Sequence, residues 1–161
     1  IKCATFVSLL INASAVKECG LPCKDYFIWG DDIEYTLRLT KYYGPAYFVG
    51  SSKVIHKRKD TRPISLITET NCNRIRLQSY YVRNTLINAK TYSGRKQLLK
   101  LLIKYNIDLL KIIFKGKNKI IKIKSILKGI VSYFIKAYNY KAFRNRLSFY
   151  GQEEKAVWTN K

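Results

Sequence analysis

The sequence predicts a mixed α/β first part over residues 1–66, followed by a basic helical extension over residues 67–161. Three observations carry that expectation. Thr5 to Ile11 is an apolar, partly β-branched run with polar neighbours, the pattern of a buried strand. Ala46 to Val49 and Lys53 to His56 flank a Gly50-Ser51-Ser52 turn and predict two short strands. From Lys96 onward, lysines recur every three or four positions among Leu, Ile, Phe and Tyr, which predicts long amphipathic helices.

The remaining elements follow in order. Ser14 is placed to cap a short helix from Ala15 to Cys19, stopped by Gly20 and Pro22. An aromatic run, Tyr26 to Trp29, leads to Gly30, Asp31 and Asp32. Ile33, Tyr35, Leu37 and Leu39 then have helical spacing, which Gly44-Pro45 ends. Thr68 or Thr70 opens the helical half, and Ile75, Leu77, Tyr80, Tyr81, Leu86 and Ile87 mark a helix that ends near Gly94. Lys96, Lys100, Lys104, Asp108, Lys111 and Lys115 form one polar stripe, and Gly116-Lys117-Asn118 makes a turn. A second amphipathic helix runs from Lys119 to about Tyr138, with Lys122, Ser125, Lys128, Ser132 and Lys136 on its polar side.

Length and composition narrow the function classes. The chain has 161 residues, enough for one domain with a real core. It begins with Ile1 and contains no Met, so it is expected to be a fragment or a processed product. No signal-peptide pattern opens it, and no stretch reaches the length of apolar residues that a spanning helix needs. Cys3, Cys19, Cys23 and Cys72 include no close CxxC pair, and His56 is the single histidine, which argues against a structural zinc site. The cysteines are therefore expected to be reduced thiols in a cytosolic compartment, with Cys19 and Cys23 as small core residues.

The net charge is +21, and it is unevenly spread. Residues 1–60 hold 9 basic and 6 acidic side chains, whereas residues 61–161 hold 22 and 4. An anionic partner is expected for the second half, either a membrane surface or nucleic acid.

The most informative segment is Gly20-Leu21-Pro22 followed by Phe27, Asp31, Asp32, Glu34 and Arg38. It resembles the acceptor-side motif of inverting family-2 glycosyltransferases, where a Gly-Leu-Pro or Gly-Leu-Phe turn leads into F-x-x-x-(E/D)-D-x-(D/E)-x-x-x-R. The galactofuranosyl- and rhamnosyltransferase-like branch is the nearest in pattern. Trp29 lies one position earlier than the Trp some members carry, and Gly30 takes that place. Tyr80-Tyr81-Val82-Arg83-Asn84 also resembles a helix that follows the catalytic core in many members. The resemblance covers residues 1 to about 60 well and the rest in character only.

The resemblance implies the C-terminal part of a GT-A, Rossmann-like glycosyltransferase domain over residues 1–66. The nucleotide-binding half, with an Asp-x-Asp motif, is expected on a segment preceding residue 1. The implied activity moves a sugar from a nucleotide-sugar donor to a saccharide hydroxyl with inversion, in building a cell-surface polysaccharide. In such a displacement a carboxylate takes the acceptor proton on the face opposite the leaving group. By resemblance that base is Asp32, while Asp31 orients the acceptor or the loop and Glu34 binds an acceptor hydroxyl. Trp29 is the ring expected to stack on the sugar, with neighbours of the aromatic run packing inward. The resemblance also gives His56 a place at a divalent cation that neutralises the departing diphosphate. Imidazole suits Mn²⁺ better than Mg²⁺ there, and the other ligands belong to the Asp-x-Asp motif.

Plainer readings stand beside each of these. Asp31-x-x-Glu34 ahead of an apolar-periodic run is capping-box-like, and acids there complement the helix dipole. A lone histidine is ordinarily a surface or core residue, and Lys57-Arg58-Lys59 can be a solvated charge run as readily as a diphosphate contact. For the basic half, the first expectation is peripheral docking on an anionic membrane, at the cytoplasmic face of the cell membrane, since the acceptors of this family are often lipid-linked glycans. Packing of an ordinary helical subdomain on the catalytic part or on a partner chain is the second. Nucleic-acid binding, suggested by the basic and aromatic residues from Tyr138 to Phe149, is third because no recognisable module appears. A non-catalytic basic helical module is the alternative to an enzyme.

Overall fold

The computed structural model describes residues 1–57 and 65–135. Expectations that fall on Arg58, Lys59, Lys136 and the run from Tyr138 to Phe149 lie outside the described residues. The elements are α1 (Ala13–Cys19), a 3₁₀ turn (Lys24–Tyr26), α2 (Asp31–Tyr42), α3 (Cys72–Asn88), a π-helical turn (Ala89–Ser93) and α4 (Gly94–Lys115). A further helix, α5, occupies residues 119–135.

There is no strand among the described residues. This overturns the expected α/β, GT-A (Rossmann-like) architecture: the chain as described is helical. The physical reason lies in the backbone. A strand is held by ladder hydrogen bonds to a neighbour, and a lone apolar run cannot satisfy its own amides. Thr5 to Ile11 forms a turn and irregular chain with Leu10 almost fully exposed. Tyr47, Phe48, Val54 and Ile55 are likewise exposed rather than paired in a sheet. The Gly50 turn does form, with the Ser52 amide donating to the Val49 carbonyl at 3.1 Å.

The described chain divides into two compact units. The first comprises residues 1–25 and 31–57, built around α1 and α2. Asn12, rather than the expected Ser14, caps α1, its side-chain oxygen accepting from the Ser14 amide at 2.8 Å. Gly20 ends the helix at φ 75, a left-handed backbone that glycine adopts without penalty. Thr36 and Thr40 of α2 then tie the N-terminal segment to the helix. The Thr36 hydroxyl exchanges hydrogen bonds with the Ala4 amide and carbonyl, and Thr40 donates to the Lys2 carbonyl at 2.8 Å. Tyr35 is buried, with Phe6 edge-on to it.

The second unit comprises residues 26–30 and 65–135 as described, with α3, α4 and α5. Asn71 caps α3, accepting from the amides of Asn73 and Arg74. Ile75, Val82, Leu86, Tyr105, Ile112 and Ile126 form its core. Thr85 of α3 meets Tyr105 of α4 through their hydroxyls, so the chain folds back on itself around the π turn and Gly94. Gly129 of α5 lets that helix approach α3 closely: a Cβ there would stand 2.7 Å from the Ser79 carbonyl oxygen.

Three members of the expected polar stripes, Lys122, Ser125 and Asp108, are in fact buried in this unit. Lys122 is 1% exposed and its ammonium donates to the Ile67 carbonyl; Ser125 is buried and donates to the Ile75 carbonyl at 2.7 Å. Asp108 is also buried, and accepts from Lys104 at 2.7 Å. Polar groups go inside when they find partners there.

Candidate functional site

In the first unit the acidic cluster sits at the start of α2. Asp31 and Asp32 occupy its first turn, both half-buried. The Asp32 carboxylate accepts from the Ile33 amide at 2.8 Å, one of the donors left open at a helix start.

Glu34 lies in the same first turn and is wholly buried. Its two oxygens accept from Arg38 Nε and Nη2, each at 3.0 Å, a bidentate pair within one helix. The same guanidinium donates to the carbonyls of Cys19 and Leu21. Glu34 and Arg38 thus fasten the turn carrying Gly20-Leu21-Pro22 to α2. Glu34 and Arg38 stand at the i,i+4 spacing that makes this pair possible. An acceptor hydroxyl at Glu34 would have to compete with that guanidinium.

His56 lies in an exposed, irregular segment of the first unit, not at the end of a strand. Among the described residues no group of three or more His, Cys, Asp or Glu side chains is placed to hold a metal ion. The described residues alone do not make a divalent-cation site, and His56 would be at most one ligand of it. No disulfide joins the four cysteines; Cys23 is buried, and Cys3 and Cys72 are exposed. Burial pushes the Cys19 thiol up, with the nearby Arg38 charge opposing it.

The aromatic run lies in the second unit, and its conformation is unusual. Phe27 and Trp29 have φ of 64 and 58, and Gly30 has 88. Side chains resist this left-handed region, so two non-glycine residues there need external support. α3 supplies it. Asn84 donates to the carbonyls of Tyr26, Ile28 and Trp29 at 3.0, 3.0 and 2.7 Å. Arg83 donates to the Tyr26 carbonyl at 3.1 Å, and Asn88 donates to the Gly30 carbonyl at 3.0 Å. The Tyr26 hydroxyl donates to Asn88 at 2.6 Å. Two ring contacts complete the hold, Phe27 with Tyr80 and Trp29 edge-on to Tyr81. Tyr26 is buried, Trp29 is half-buried, and Phe27 is the most exposed ring of the three at 69%.

This clamp on residues 26–30 is the feature that sequence reasoning missed. Its signal is present: Arg83, Asn84 and Asn88 stand among the apolar positions of α3, where polar side chains need a specific partner. Nothing in the spacing names that partner as the segment some 55 residues earlier. Comparisons with family models, with curated proteins and with solved structures find no match for this chain.

Proposed function

We propose that this chain carries the acceptor side of a sugar-transferring enzyme that uses a nucleotide-sugar donor and inverts the anomeric centre. The observation that carries the reading is the pair Asp31 and Asp32, half-open at the first turn of α2. They directly follow, in sequence, the aromatic segment that Asn84 holds. A base for a saccharide hydroxyl must be held in place and reachable, and half-buried side chains in the first turn of a helix are both.

In this reading Asp32 removes the proton of the acceptor hydroxyl as its oxygen attacks the anomeric carbon and the bond to the diphosphate breaks. Asp31 orients the acceptor. Glu34 acts through Arg38, keeping the Cys19–Leu21 turn against α2. Within the second unit, Trp29 is a ring of the kind that stacks on a sugar, in a segment that Asn84 holds. The acceptor class is a saccharide of a cell-surface glycan.

The test is Asp32→Asn in the polypeptide that includes the nucleotide-sugar site. Loss of a positioned general base is expected to slow transfer by about a hundredfold or more while helicity is unchanged. Undiminished transfer by Asp32→Asn would remove Asp32 from the reaction. On this chain itself, acceptor saccharides are expected to shift the indole resonance of Trp29 in a heteronuclear NMR spectrum.

A further inference from the structure

We propose that α4 and α5 dock on the surface of an anionic membrane, each through an apolar ridge turned away from its own core. The proposal stands whether or not Asp32 is a catalytic base.

α4 buries Tyr105, Asp108 and Ile112. At 3.6 residues per turn, Leu99, Ile103, Ile107, Leu110 and Phe114 fall on the opposite side. They are between 45% and 77% exposed. α5 repeats the arrangement. Lys122, Ser125, Ile126 and Tyr133 are buried, whereas Ile120, Leu127, Val131 and Phe134 are on the far side and between 47% and 70% exposed. A helix needs one apolar face to pack in its own unit. These two helices have a second, and the core does not explain it.

Charge identifies the occupant. Residues 94–135 contain 11 lysines and arginines against a single acid, Asp108. Lys100, Lys104, Lys111 and Lys115 are exposed and run along one side of the α4 ridge, and Lys124 and Lys128 flank that of α5. A row of cations beside an aliphatic ridge matches a lipid interface. The ridge enters the boundary between headgroups and acyl chains, and the lysines meet the phosphates. A nucleic acid would use the lysines but has no use for aliphatic side chains; single-strand binders present stacked aromatics instead, and each ridge carries one phenylalanine. No helix among the described residues is long and apolar enough to cross a membrane. The helices lie on the surface.

The experiment is cosedimentation of the chain with vesicles of equimolar phosphatidylglycerol and phosphatidylcholine, and with vesicles of phosphatidylcholine alone. The chain is expected to bind the anionic vesicles more tightly and to lose affinity as salt is raised. Leu110→Ser with Phe114→Ser touches no buried residue, so helicity by circular dichroism should persist. Anionic-vesicle affinity should fall about tenfold or more in that variant. Lys100→Gln with Lys111→Gln should weaken binding to the anionic vesicles and leave the neutral ones unaffected. Failure of the wild-type chain to bind anionic vesicles overturns the proposal. So does binding that the lysine variant loses and the serine variant keeps, since the surface would then be open to any polyanion, nucleic acid included. Self-association that the serine variant abolishes, without vesicle binding, assigns the ridges to a second copy and also overturns it.

Discussion

The side-chain amide of Asn84 stands 2.7 Å from the carbonyl oxygen of Trp29, and it reaches the Tyr26 and Ile28 carbonyls as well. One buried amide therefore closes three backbone acceptors in a segment where Phe27 and Trp29 both adopt left-handed φ. The unfavourable backbone and the clamp belong together: each such residue costs on the order of 1–3 kcal/mol unless its surroundings impose it.

Asn84→Ala should accordingly remove more than one ordinary hydrogen bond. It takes this donor from the part-buried carbonyls of Ile28 and Trp29, while the Tyr26 carbonyl keeps Arg83, and a loss of about 2–3 kcal/mol in unfolding free energy is expected. In a Trp158→Phe background, Trp29 is the single indole, and its emission should move to longer wavelength as the segment loosens. Unchanged emission and stability would mean that Tyr80, Tyr81, Arg83 and Asn88 hold the segment without it.

Arg38 is the corresponding point in the first unit. Arg38→Met takes from the buried Glu34 carboxylate its bidentate partner and from two carbonyls a donor, so about 3–5 kcal/mol is expected to be lost. Glu34→Gln with Arg38→Met should recover part of that loss, because the buried side chain no longer carries a charge. Denaturant unfolding of the two variants decides it; equal losses would show that the carbonyls of Cys19 and Leu21, not the ion pair, carry the energy.

Gly129→Ala sets helix propensity against packing. Alanine improves a helix interior by about 1 kcal/mol, but its Cβ would stand 2.7 Å from both the Ser79 carbonyl oxygen and Val82 Cβ. Overpacking of that kind costs roughly 1–3 kcal/mol. The contact should win, and the variant should melt at a lower temperature than the wild type. A higher melting temperature would refute the close approach of α5 to α3.

Burial pushes the Tyr105 phenol above its usual range, although its bond to Thr85 pulls the other way. Tyr35 and Tyr133 are raised by burial too. The folded chain keeps these protons where the unfolded chain has released them, so stability falls as pH rises past about 10. Lys122 acts in the opposite sense, since burial lowers its pKa and the folded chain sheds that proton first. Comparing Tyr105→Phe with the wild type cancels the lysine. The variant should lose about 1 kcal/mol near neutrality, with the Thr85 bond, and show a shallower alkaline decline. An alkaline decline as steep as that of the wild type would contradict the burial of Tyr105.

The helices were legible in the sequence because their signals are local. Gly20, Gly44 and Gly116 interrupt apolar periods that a reader can count, and α2, α4 and α5 lie close to where those periods run. The strand expectations failed for a non-local reason: Thr5–Ile11 and Ala46–Val49 have strand composition, but the described residues contain no strand for them to pair with. Lys122 and Ser125 misled in another way. Periodicity assigns polar residues to solvent, whereas these two find the carbonyls of Ile67 and Ile75 inside. At the candidate site, Asp31 and Asp32 at a helix entrance were readable from the motif. The hold of Asn84 on residues 26–30 was not, because it joins segments far apart in the chain.

The corner at Gly94 has a consequence for the chain in concentrated solution. Its φ of 83 reverses the path between α3 and α4, and no atom crowds it, so handedness alone demands glycine there. An alanine at 94 is expected to favour an opened arm, in which Tyr105 leaves Thr85 of its own α3 and takes the same seat on another molecule. Such exchanged dimers, separable by size-exclusion chromatography and slow to revert, are the hazard that a single glycine holds off.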